Sequence, residues 1–145
     1  VSKPTPLFVN LYMYAVNKAA YKVLGRGGLV LSRAASEELL SYLKRNGYLP
    51  EKPSWEDVKR LFVEELGLAD DMVFSREGSS VTIEMRGLKV AEFLKLTREE
   101  NFEPVACPLA SVILHVCEMM CGCRLVLRGF KVLDPTTVRF ECATV

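Results

Sequence analysis

Apolar positions in the first part of the chain repeat with the period of an α-helix. Between Leu7 and Leu24, a stretch without Gly or Pro, Phe8, Tyr12, Ala15, Ala19 and Val23 recur every three to four residues. Gly25-Arg26-Gly27-Gly28 breaks the pattern, and Leu29 to Arg45 resumes it with Leu39, Leu40 and Leu43 before Asn46-Gly47 stops it. Pro50 and Pro53 mark a connection. Ser54, with Asp57 three positions on, reads as the cap of a third helix with Trp55, Val58, Leu61, Phe62 and Leu66 on one face.

The period then changes to two. Val81, Ile83 and Met85 alternate with Thr82, Glu84 and Arg86, which predicts a strand with one covered face. Met72 to Arg76 is its expected partner through a turn at Glu77-Gly78-Ser79. Leu88 to Leu96 fits either a strand or a short helix, and Thr97-Arg98-Glu99-Glu100 predicts a capped helical turn over 98–102. Pro104 to Gly122 is apolar on most sides, which predicts a buried helix opened by Pro108. Arg124 to Leu133 predicts a strand with a bulge at Gly129. Asp134-Pro135-Thr136-Thr137 predicts a turn, and Val138, Phe140 and Cys142 alternate in a last strand.

The order αααββαββ predicts an α+β fold: a four-stranded antiparallel sheet of two hairpins packed against several helices. Residues 1–7 read as an N-terminal extension and 8–145 as a single domain of a size that buries an ample core. Composition narrows the picture. Nineteen basic against 18 acidic residues leave a net charge of +1, which supplies no general attraction to phosphate backbones or anionic lipid. No apolar run reaches the roughly 18 residues of a membrane span, and no signal-peptide pattern follows the start, so a soluble cytoplasmic protein is expected. Gln is absent and Asn occurs only at positions 10, 17, 46 and 101, a thermophile trend. That matters for the five cysteines, which are free thiols in a mesophile cytosol but include disulfides in some hyperthermophile proteins.

Several motifs in this order resemble the 4-vinyl reductase domain family and its relatives in the TRAPP transport complex, over about residues 8–144. In the first half these are an opening helix, a Gly break at Gly25 to Gly28, a helix ending near Gly47, and Trp55 to Gly67 before a hairpin. In the second half they are Cys107-Pro108 opening an apolar helix, Cys121-Gly122 closing it, an Asp134-Pro135 turn, and Arg139-Phe140 in the final strand. The resemblance implies a compact, often dimeric unit that either holds a small apolar molecule or serves as a scaffold subunit. The residues expected to line such a pocket are Tyr12, Met85, Cys107, Leu114 and Phe140. Zinc-bearing members carry a Glu-x-x-Cys pair after the long helix and a Cys before Arg-Phe. Here Arg128, Lys131 and Val138 stand at those positions and only Cys107 matches a ligand. No zinc site and no other cofactor is therefore expected.

The remaining chemistry has a plain reading beside each sharp one. Cys107, Cys117 and Cys121 fall on one face of the predicted helix, with Cys123 just beyond; they are an alternative zinc set or a redox group, but free Cys also packs as a small hydrophobe. His115, the only histidine, projects away from Cys117 and reads as a core or interface group rather than a base. The glycine run lacks the flanking strand and Gly-Lys-Ser/Thr of a phosphate loop. Three functions follow: a non-enzymatic module for a hydrophobic ligand, forming a homodimer or joining a related subunit; a scaffold subunit docking through apolar positions of the first helix; and a cysteine-based metal or redox protein. Nucleic acid is not an expected partner.

Overall fold

The computed structural model describes residues 6–145. Residues 1–5 of the expected extension lie outside them, and its last two residues, Pro6 and Leu7, open the first helix. Helix α1 spans Pro6–Leu24, a 3-10 turn covers Gly25–Gly28, and α2 spans Leu29–Arg45. Helix α3 (Trp55–Lys59) runs into a π-helical segment, Arg60–Glu65. The hairpin of β1 (Asp71–Glu77) and β2 (Ser80–Arg86) follows, then α4 (Ala91–Glu99), α5 (Leu109–Cys121) and the hairpin of β3 (Leu125–Asp134) and β4 (Thr137–Thr144). The fold is α+β with one four-stranded antiparallel sheet built from two hairpins, as the pattern predicted, and its strand order is β1-β2-β4-β3.

The backbone clusters into two compact units, residues up to 42 with 90–112, and residues 43–89 with 113–145. The chain changes unit within α2, between Lys89 and Val90, and again within α5.

The second unit holds the sheet. Val81, Ile83 and Met85 on β2 stand opposite Cys142, Phe140 and Val138 on β4, and all six are buried. Directly opposed residues share a face, so this face carries the core of the unit. On the other face Glu84 accepts from Arg139 across the strands at 3.1 Å and from Arg86 at 2.6 Å. Strand β3 forms one edge. Its register slips between Leu127 and Gly129, where the bulge was expected, and again between Val132 and Asp134. Two bulges with Arg128 and Lys131 on an exposed strand discourage edge-to-edge pairing. Helix α3 opens with the predicted capping box: the Ser54 hydroxyl accepts the Asp57 amide, and the Asp57 carboxylate accepts the Ser54 amide. The switch to π geometry shows in the Leu66 amide, which donates to Leu61 five residues back. Leu61 and Phe62 in this segment are buried.

The first unit differs from expectation in two places. Of the two forms that Leu88 to Leu96 fits, the chain takes the helix, which is α4. Thr97 lies inside α4, its hydroxyl donating to Leu94 O at 2.7 Å, and does not cap a turn over 98–102. Asn101 instead ends the helix in the left-handed region at φ 51°, a conformation Asn tolerates better than most residues. Cys107 lies ahead of α5, not on its face, because the residue before a proline is disfavoured in helical geometry.

Candidate functional site

Helix α1 is turned inside out. At 100° per residue, Ala15, Phe8, Ala19, Tyr12, Val23, Val16 and Val9 fall within an arc of about 120°. All seven are exposed, Tyr12 to 65% and Val23 to 80%. Lys22 marks one edge of the arc, and no charged residue falls within it. The Phe8 and Tyr12 rings lie 6.3 Å apart along it.

The opposite side of α1 buries amides. Asn10 and Asn17, two turns apart, are 3% and 4% exposed. Each Nδ2 donates to a carbonyl one turn back, Pro6 O at 2.7 Å and Met13 O at 2.9 Å. Each Oδ1 accepts a backbone amide from a distant segment. Phe93 N donates to Asn10 at 2.9 Å, and Ala106 N donates to Asn17 at 2.8 Å. Tyr14 on the same side donates to Glu100 at 2.9 Å, and Lys18 pairs with that carboxylate. The hydrogen bond from Lys18, then that from Tyr14, holds the Glu100 carboxyl below its usual range. Polar groups thus fix α1 to α4 and the following connection, while its apolar arc faces outward. Serines on α2 complete the unit: Ser32 Oγ donates to Cys107 O at 2.6 Å, and Ser36 Oγ to Pro108 O at 3.3 Å.

Four cysteines gather in the second unit. The Cys117 thiol on α5 lies beside Cys121, one turn on, and beside Cys142 on β4; burial, then those two neighbours, pushes it up to about 12. Cys121 is raised by burial first and then by the neighbouring Cys123 thiol, with Arg76 acting in the opposite direction. Burial also raises Cys142. Cys123 lines a shallow surface depression of about 620 Å³ with Glu118, Met119, Gly122, Arg124 and Val145. Glu118 turns one carboxylate oxygen to the Leu125 amide at 2.8 Å, and the other lies 3.8 Å from His115 Nδ1. His115 is therefore a partly exposed helix residue beside a carboxylate. All five cysteines are free, and among the described residues no group of three or more His, Cys, Asp or Glu is placed to hold a metal ion.

The five residues expected to line a pocket are distributed as follows. Met85 and Phe140 share the covered face of the sheet at 0% and 5% exposure, and the Phe140 ring lies 5.2 Å from Phe130. Leu114 lies on α5 in the same unit, half-buried. Tyr12 and Cys107 belong to the first unit. Tyr12 stands in the exposed arc, and Cys107 is held through its carbonyl by Ser32, with burial raising its thiol. The sequence signal that finds the Asn10 and Asn17 clamps is a pair of amides seven residues apart in a chain that has almost none.

The fold and these features define an α+β protein with an outward apolar helix and a thiol cluster beside its sheet. The chain belongs to the same family as Uncharacterized protein MJ0758 of Methanocaldococcus jannaschii, with which it is 39% identical over 121 residues, covering 83% of this chain and 76% of that protein. No protein-family profile matches the sequence. No solved structure matches it. Among the described residues, no helix is long and apolar enough to cross a membrane.

Proposed function

We propose that this protein is a non-catalytic assembly subunit whose α1 arc docks the same arc of a second copy. The supporting observation is the reversal of α1: its polar residues are engaged inside the unit and its seven-residue apolar arc is left to solvent. Phe8, Val9, Tyr12, Val16 and Val23 on that side are each 44–80% exposed, a contiguous apolar patch of the kind that marks an interaction surface. A second copy suits it because the arc carries no charge, so two identical faces meet without like-charge contact. Ala15 and Ala19 lie midway along its length, where small side chains let helices approach closely.

Sedimentation or light scattering of the purified chain tests this. The expected result is a dimer for the native chain and a monomer with unchanged circular dichroism for Val16→Glu. A native chain that stays monomeric at high concentration overturns the reading. The apolar-ligand reading has the family resemblance and a core rich in Met and Phe behind it and stands second; a co-purified apolar compound seen by native mass spectrometry is the result that would raise it.

A further inference from the structure

Cys121, Gly122 and Cys123 form the end of α5 and the bend before β3. Two Cα–Cα steps of 3.8 Å place the outer Cα atoms at most about 7 Å apart, and a folded middle residue shortens that, while disulfides span roughly 4.4–6.8 Å. Gly122 supplies the fold: its φ is +68°, a conformation that costs glycine little and other residues more. Nothing lies within 4 Å of where a Cβ at Gly122 would stand, so the bend has room to adjust. The Cys121 thiol is raised in part by the Cys123 thiol, so the two are near enough to influence each other's protonation. Both are partly exposed, unlike the fully buried Cys117 behind them, and Cys123 opens onto the depression lined by Glu118, Met119 and Arg124.

We propose that Cys121 and Cys123 are a thiol–disulfide exchange site, taking low-molecular-weight or protein disulfides as substrate. The Cys123 thiolate attacks one sulfur of the incoming disulfide, the S–S bond breaks, and one thiolate leaves. The Cys121 thiolate then attacks the Cys123 sulfur of the mixed disulfide, forming the Cys121–Cys123 bond and expelling the second thiolate. The protein loses two electrons and two protons, and the substrate disulfide is reduced to two thiols. Cys123 is the attacking residue because it lines the open depression beside the Arg124 cation, while Cys121 is not among the residues that line it and lies next to Cys117. The site is independent of the α1 face.

Incubation of the reduced full chain with glutathione disulfide, followed by tandem mass spectrometry, tests the assignment. The expected product is a single internal disulfide between Cys121 and Cys123. Cys121→Ser is expected to stop at a glutathione adduct on Cys123, formed within about threefold of the native rate, and Cys123→Ser to react at least about tenfold more slowly. A bond that maps to Cys117–Cys121, a Cys123→Ser variant that oxidises at the native rate, or a native chain that gives only stable single adducts would each overturn the proposal. Because the native chain alone decides the first and third outcomes, a variant that failed to fold would not rescue it.

Discussion

Asn10 on α1 supplies the N-terminal cap of α4. Its Oδ1 accepts the amide of Phe93, the third residue of that helix, at 2.9 Å across 83 residues of sequence. A helix N-terminus leaves up to four amides without intrahelical partners, and capping side chains normally come from the adjoining residue. Val90, which adjoins α4, is apolar and makes no side-chain cap. The cap was placed on another helix.

Asn10→Ala and Asn17→Ala are expected to destabilise the chain by about 1–3 kcal/mol each, because each strands a buried amide donor on the receiving segment. Denaturant midpoints measure the loss. Faster hydrogen exchange at the Phe93 amide for Asn10→Ala, and at the Ala106 amide for Asn17→Ala, distinguishes loss of the cap from general loosening.

Gly87 and Gly78 separate two costs. Both have positive φ, +65° and +62°. A Cβ on Gly78 meets nothing within 4 Å, whereas one on Gly87 falls 2.2 Å from Asp70 Oδ2 and 2.8 Å from Asp70 Cβ. Gly78→Ala is expected to cost only the conformational share, about 1–2 kcal/mol, and Gly87→Ala clearly more. Asp70→Ala in the Gly87→Ala background removes the carboxylate clash but not the Cβ clash, so only part of the stability returns in thermal unfolding.

Acid weakens the outer face of the sheet. The Glu84 carboxyl is held below its ordinary value of 4.5 by hydrogen bonds from Arg86 first and Arg139 second. A lowered folded-state pKa adds stability that is fully present above the unfolded value and is lost as pH falls through the folded one. Stability is thus expected to fall below about pH 4.5. Glu84→Gln is expected to lower stability at pH 7 and to flatten the acid limb of a stability-versus-pH series.

Cys117 is expected to resist alkylation in the folded chain. A thiol pushed up to about 12 is protonated at pH 8, and this one is fully buried. Timed iodoacetamide labelling is expected to modify Cys123 early and Cys117 only at the rate of unfolding; early labelling of Cys117 would mean that its end of α5 opens locally.

Much of the sheet was legible in the chain. Alternation at Val81, Ile83 and Met85, and at Val138, Phe140 and Cys142, located two strands and their covered sides, because a strand's two faces differ every second residue. Ser54 and Gly129 announced a cap and a bulge through local chemistry. Helix α4 was half legible: Leu88 to Leu96 fitted a short helix or a strand, and the cap that would have decided between them is remote. The facing of α1 was not legible either: the stripe of Phe8, Tyr12, Ala15, Ala19 and Val23 was visible, but periodicity identifies a face without saying what covers it. The outward placement follows from where two amides found partners some eighty residues further along. The thiol cluster was half legible. The spacing of Cys117 and Cys121 showed one pair, whereas the approach of Cys142 needed the β2–β4 pairing, and Cys107 was read onto a helix that Pro108 delays.

The central seam of the sheet carries a kinetic consequence. Strands β2 and β4 zip together residues roughly 50–60 positions apart, Val81 with Cys142 and Met85 with Val138, with two helices looped out between them. Each hairpin forms from near neighbours, but the join between them must wait for that long excursion to close. Until it does, β2 exposes a bare hydrogen-bonding rim to any other extended chain, so the hazard of aggregation is concentrated in the interval between two quick local events and one slow distant one.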